Sequence, residues 1–90
     1  MDHIWVFNGD VSSFPSGIFL EKENALEWVE NNKLSGTLTK YPVNVPVYEW
    51  AVENNFFTPK REYQKNAKTI GNFSSAHLEH YHFIDGAMEE

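Results

Sequence analysis

Cysteine is missing from all 90 residues, which excludes disulfide staples, thiolate zinc sites and cysteine nucleophiles together. Long apolar runs are missing too. No stretch approaches the roughly 20 residues that span a bilayer, and Met1-Asp2-His3 lacks the basic and apolar stretches of a secretory signal. A cytoplasmic location without membrane contact is the expectation. Positive charge is scarce, with seven Lys and Arg against thirteen Asp and Glu and a net charge of −6. Affinity for nucleic acid comes mainly from cationic contacts to phosphate, so this balance argues against direct nucleic-acid binding. It favours a basic partner, steered by charge.

Aromatic residues are abundant, at 16% of the chain. A domain this short buries only about 60–65% of the surface its unfolded chain exposes. Large rings compensate, because each buries roughly 150–250 Å².

Punctuation and periodicity divide the chain into elements. His3 to Asn8 is β-branched and aromatic and ends at the turn signal Asn8-Gly9-Asp10. After Phe14-Pro15-Ser16, Gly17 to Leu20 reads as a second strand, antiparallel to the first. Glu21 to Asn32 reads as a helix with Ala25, Trp28 and Val29 on one face and Glu23, Glu27 and Glu30 on the other. Ser35 to Tyr41 is a third strand, closed by Pro42. Pro46 opens a second helix, where its missing N–H has no intrahelical partner in any case. Phe56 to Asn72 shows no periodicity, and residues 58–72 read as a mobile basic loop. His77 to Ile84 is the last strand, ended by Asp85-Gly86. The order β-β-α-β-α-loop-β predicts a single α+β domain over residues 1–90. Its core is a small, twisted, mostly antiparallel four-stranded sheet with two helices on one face. The echo between Glu27-Trp28-Val29-Glu30-Asn31-Asn32 and Glu49-Trp50-Ala51-Val52-Glu53-Asn54-Asn55, read with one residue inserted, suggests two helices with similar endings rather than a duplication. The sequence leaves open whether Trp5 and Phe14 are core or exposed anchors.

Charge is unevenly spread. Residues 1–57 hold three lysines against eight acids, residues 58–70 hold Lys60, Arg61, Lys65 and Lys68 against Glu62, and residues 71–90 hold only acids. Glu23, Glu27 and Glu30 form an acidic helix stripe, and Asp10, Glu49 and Glu53 add acid with little lysine interspersed. These six are the candidate partner-binding residues, able to plug a cationic cleft. An ordinary solvated helix face would look the same.

Other constellations are weaker. His80 and His82 fall on one face of a strand and are candidate metal ligands or a pH-sensitive patch, with His3 a neighbour if the last strand pairs with the first. Two ligands on one face do not make a site, so no metal and no cofactor is expected. Tyr63 within the basic loop could stack on a single-stranded base, but four cations in an acidic chain are a small footprint. No spacing sets a nucleophile against a base, and there is no Gly-rich phosphate loop, so no catalytic residue is assigned and catalysis is not expected.

Trp5-Val6-Phe7-Asn8-Gly9, Phe14-Pro15-Ser16-Gly17-Ile18-Phe19, Leu34-Ser35-Gly36-Thr37-Leu38-Thr39, Tyr41-Pro42, Tyr48-Glu49-Trp50-Ala51, Thr58-Pro59-Lys60-Arg61, Glu79-His80-Tyr81-His82 and Asp85-Gly86 resemble a family of small stand-alone bacterial proteins of unknown function. In size, charge and want of catalytic signature the chain also resembles the immunity proteins of bacterial toxin systems, including contact-dependent growth inhibition. That resemblance implies a partner that is a basic toxin domain, such as a nuclease, blocked through an acidic surface. The alternative is a stand-alone cytosolic regulatory or ligand-binding domain.

Overall fold

The computed structural model describes residues 2–89. β1 (His3–Gly9) and β2 (Pro15–Phe19) form an antiparallel pair, with Trp5 opposite Phe19 and Phe7 opposite Gly17. β3 (Gly36–Pro42) pairs along the other side of β1, and β4 (His80–Ile84) pairs with β3. A two-residue strand, β5 (Ala87–Met88), closes the order β2-β1-β3-β4-β5, antiparallel throughout. The fold is therefore α+β, as the sequence predicts, with two corrections. The sheet has five strands, not four. The last strand, which pairs with β3, begins at His80 rather than His77.

The fifth strand follows from Asp85-Gly86. Both residues have positive φ, 50° and 87°, and Ile84 pairs with Ala87 across them. That is the geometry of a two-residue hairpin turn whose twist suits its flanking strands, for which Asp-Gly is a preferred sequence. The dipeptide reverses the chain instead of ending the sheet.

Side chains alternate across the sheet. One face presents Trp5, Phe7, Phe19, Leu38, Tyr81 and Phe83, and α1 (Lys22–Asn31) covers it with Ala25 and Val29. Trp5 is 4% exposed, which settles it as core, whereas Phe14 is 76% exposed. Phe7 meets Trp28 edge-on at 5.6 Å between ring centres, and Trp28 lies 5.5 Å from Phe19. Gly36 lets these rings close over the strands. A Cβ there would lie 2.2 Å from the Asn8 carbonyl oxygen and 2.8 Å from the Phe7 ring. The opposite face carries Ile4, Val6, Ile18, Thr37, Thr39, Tyr41, His80, His82 and Ile84, all partly or fully exposed.

α2 (Val47–Glu53) approaches the sheet at β3. Residues expected as a loop form a 3₁₀ turn at Glu62–Lys65 and a third helix, α3 (Ala67–Gly71), so the described residues hold three α-helices where two were expected. Tyr48, Phe57 and Phe73 pack against one another at 5.0–5.6 Å, which ties this segment to α2. The Tyr48 hydroxyl adds a hydrogen bond to the Gln64 carbonyl at 2.9 Å.

The internal echo now has a structural basis. Both helices end in a left-handed residue, Lys33 at φ 53° and Asn55 at φ 64°. Leu34 N–H bonds Val29 O and Lys33 N–H bonds Glu30 O, while Phe56 N–H bonds Ala51 O and Asn55 N–H bonds Val52 O. These are two Schellman terminations. In each, the C-cap asparagine side chain donates to the carbonyl four residues back, Asn32 to Trp28 at 2.9 Å and Asn54 to Trp50 at 2.7 Å. Aligned by structure, the two segments match at Glu-Trp-x-x-x-Asn with no insertion.

Candidate protein-docking surface

The acidic stripe has the position its periodicity predicts. Glu23, Glu27 and Glu30 lie on the exposed side of α1, opposite Ala25 and Val29. They do not stand on a bare helix face, however. With Leu26, Phe83, Gly86, Ala87 and Met88 they line one open groove of about 490 Å³ between α1 and the β4–β5 hairpin. Carboxylates form its rim on the helix side, while Leu26, Phe83 and Met88 supply an apolar floor. No Lys or Arg lines the groove. Among the described residues none of the three carboxylates has a cation within 4 Å.

Backbone contacts between the hairpin and the end of α1 hold the groove open. Gly86 N–H donates to Leu34 O at 2.8 Å, and Asp85 N–H donates to the Ser35 hydroxyl at 2.9 Å. Gly86 sits so close to the helix end that a Cβ would lie 3.0 Å from Lys33 Cα. The Schellman ending of α1 and the Asp85-Gly86 turn thus pack directly against each other at one end of the groove.

The other candidate acids lie elsewhere. Glu49 and Glu53 sit on α2 beside a second cleft with Val45, Tyr48, Val52 and Pro59. Asp10 lies at the β1–β2 turn, where its N–H donates to Ser35 O at 3.1 Å. The six acids therefore occupy three places: the α1 trio shares one groove, Glu49 and Glu53 share another, and Asp10 stands apart. Leu26, Phe83 and Met88, the apolar floor of the α1 groove, carry no signal in the sequence, because nothing local shows that β4 and β5 run beside α1.

His80 and His82 do share a face, their rings edge-on at 5.2 Å. Each Nδ1 is engaged, His80 with Leu78 O at 2.7 Å and His82 with the Thr37 hydroxyl at 3.1 Å. His3 is not their neighbour. β3 intervenes, and His3 lies on the α1 face beside Trp5. Among the described residues no three His, Asp or Glu side chains converge as metal ligands.

His3 instead lines a cleft of about 310 Å³ with Asp2, Lys40, Trp50, His77 and Glu79, over the buried Leu78. The His77 ring stacks on Phe56 at 4.1 Å, and Phe56 in turn lies 5.4 Å from Trp50. Hydrogen bonding to His3 at 2.8 Å holds the Asp2 carboxyl below its ordinary range.

The family model for a domain of unknown function, DUF7710, matches residues 4–89. The chain belongs to the DUF7710 family. This fits the resemblance to a family of unknown function, and the DUF7710 match takes in every strand but the first residue of β1, together with all the helices. No curated protein and no solved structure matches the chain. No helix among the described residues is long and apolar enough to cross a membrane.

Proposed function

We propose that this DUF7710 domain acts by binding a basic partner protein, seated in the groove between α1 and the β4–β5 hairpin. In the form that fits the charge and size best, it is an immunity protein and the partner is a cationic toxin domain, such as a nuclease. One observation carries the reading: three unpaired carboxylates and an apolar floor line a single groove that no cation shares. Carboxylates on a rim steer a cationic surface and select it, while buried apolar anchors supply most of the affinity. A basic segment with one or two large apolar side chains matches both parts.

The test is paired capture from the native cell, with wild type and E27K/E30K as baits, followed by assay of the captured protein. A basic protein retained by wild type and lost from the double variant supports the groove. A nuclease or other toxic activity that the purified domain suppresses at equal molarity supports the immunity role. Equal capture by both baits removes the groove from the reading, and an inert partner removes the immunity role.

A second reading, a ligand-binding domain, rests on the cleft at His3, Lys40, Trp50 and His77. A Trp50 fluorescence titration against small organic anions and cations tests it, and a flat response to all of them eliminates it.

A further inference from the structure

We propose that β2 is the contact between two copies of this chain, which join edge to edge into one continuous antiparallel sheet. Edge strands offer unpaired N–H and C=O groups to any passing strand, and proteins ordinarily guard them with charge. β2 carries no charged guard; Pro15 and the register shift beside it lie at its start, away from Ile18. From Val11 to Leu20, between Asp10 and Glu21, ten residues pass without a charged side chain. Among the described residues, four of the ten exposed large apolar side chains fall in this stretch: Val11, Phe14, Ile18 and Leu20. Ile18, at 62% exposed, continues on the open sheet face into Val6, its cross-strand partner, and Ile4.

Charge selects the occupant. Two copies at −6 repel wherever acids meet. The β5 edge is flanked by Asp85 and Glu89, and α1 carries Glu23, Glu27 and Glu30. The β2 edge brings two copies together without opposing carboxylates. A strongly charged partner finds nothing there to pair with, whereas an identical neutral strand is its own complement.

A two-fold axis at Ile18 makes the contact self-complementary, as an isologous interface requires. Ile18 then faces the partner's Ile18, Ser16 faces the partner's Leu20, and Gly17 faces the partner's Phe19. On either side of the central Ile18 pair a large residue meets a small one, and cross-strand side-chain pairs are the unit that stabilises strand association. The dimer leaves the groove beside β5, at the far edge of the sheet, open in both copies, so it stands apart from the partner-binding reading.

Sedimentation of the full chain tests the proposal, using I18K and I84K, which place a lysine at exposed positions on the same sheet face. The wild type is expected to sediment reversibly towards twice the 10.5 kDa chain mass as concentration rises. I18K should remain monomeric at a concentration about tenfold higher, while I84K follows the wild type. Circular dichroism confirms that each variant is folded, and a variant that is not gives way to I18T or I84T with the same readout. A wild type that stays monomeric, a dimer indifferent to I18K, loss of dimer in both variants or only irreversible aggregates each overturn it.

Discussion

Lys22 and Tyr81, 59 residues apart in sequence, meet at the start of α1, where the Lys22 ammonium donates a 3.0 Å hydrogen bond to the Tyr81 hydroxyl. The same ammonium lies 4.1 Å from the Tyr81 ring centre and 5.7 Å from that of Trp5. The Tyr81 hydroxyl in turn donates to the Glu79 carboxylate. A cation in the first turn of a helix opposes the helix dipole. This three-membered chain of contacts offsets that cost and pins α1 to β4.

The latch predicts a pH signature. Hydrogen bonding to Tyr81 raises the Lys22 pKa above its ordinary value. A folded-state pKa raised above the unfolded one gives stability that is full below the unfolded value, about 10.4, and is lost as pH rises through the folded value. The stability difference between wild type and Lys22→Met should be constant through neutral pH and shrink above about pH 10. Urea unfolding across that range measures it, and a difference that grows with pH contradicts the latch.

Gly36→Ala should be among the most damaging single changes. The new methyl meets backbone, the Asn8 carbonyl oxygen at 2.2 Å, so β1 and β3 must separate to admit it. A loss of about 3 kcal/mol or more is expected from such overpacking, or failure to fold. Chemical denaturation against Gly71→Ala, where a Cβ meets nothing within 4 Å, gives the comparison.

Leu38→Ala removes a fully buried side chain at the centre of the sheet, opposite Phe7 on one side and Tyr81 on the other. The expected cost is about 2–5 kcal/mol, a large share of the total stability of a small domain. The midpoint of urea unfolding should fall with little change in slope.

Lys33→Gly should stabilise. Lys33 holds the left-handed position of the α1 Schellman ending at φ 53°, where glycine has no Cβ to strain. A gain of about 0.5–1 kcal/mol is expected after the added freedom of the unfolded chain is deducted. A loss would mean that the Lys33 stem contributes packing that outweighs the backbone strain.

Glu27→Lys with Glu30→Lys should leave the fold within about 0.5 kcal/mol of wild type, since both side chains are exposed and unpaired. Against the captured partner, the change should slow association more than it speeds dissociation, and the wild-type rate should fall with added salt. Stopped-flow measurement at two ionic strengths separates these effects.

Much of the fold was legible because it is written in short-range pattern. β1, β2, α1 and β3 lie within two residues of their expected bounds and α2 starts directly after Pro46, since period-2 and period-3.6 spacings and Pro46 are local signals. Residues 56–78 were not legible. Their order comes from polar capping, as where the Gln64 side chain accepts from the Lys60 and Arg61 N–H groups and Asn66 accepts from Thr69 N–H. It comes also from rings that meet across the chain, Tyr48 with Phe73. The pattern Asn66-x-x-Thr69 was the one signal that could have placed α3. β5 is not legible in the sequence, because a strand stop and a hairpin turn use the same dipeptide, Asp85-Gly86. The acidic stripe could be read from helical spacing alone, but its groove needs Phe83 and Met88, and only the tertiary fold supplies them.

The strand order has a consequence for the birth of the molecule on the ribosome. β3 lies between β1 and β4, so residues 3–42 can pair and fold α1 over them while one flank of β3 still waits. Phe83, a member of the core, and Tyr81, which latches α1, arrive only with residues 80–84. Until then the nascent chain exposes Leu38 and the open ladder of β3. Any pause in translation before residue 80 would hold the chain at its most adhesive stage.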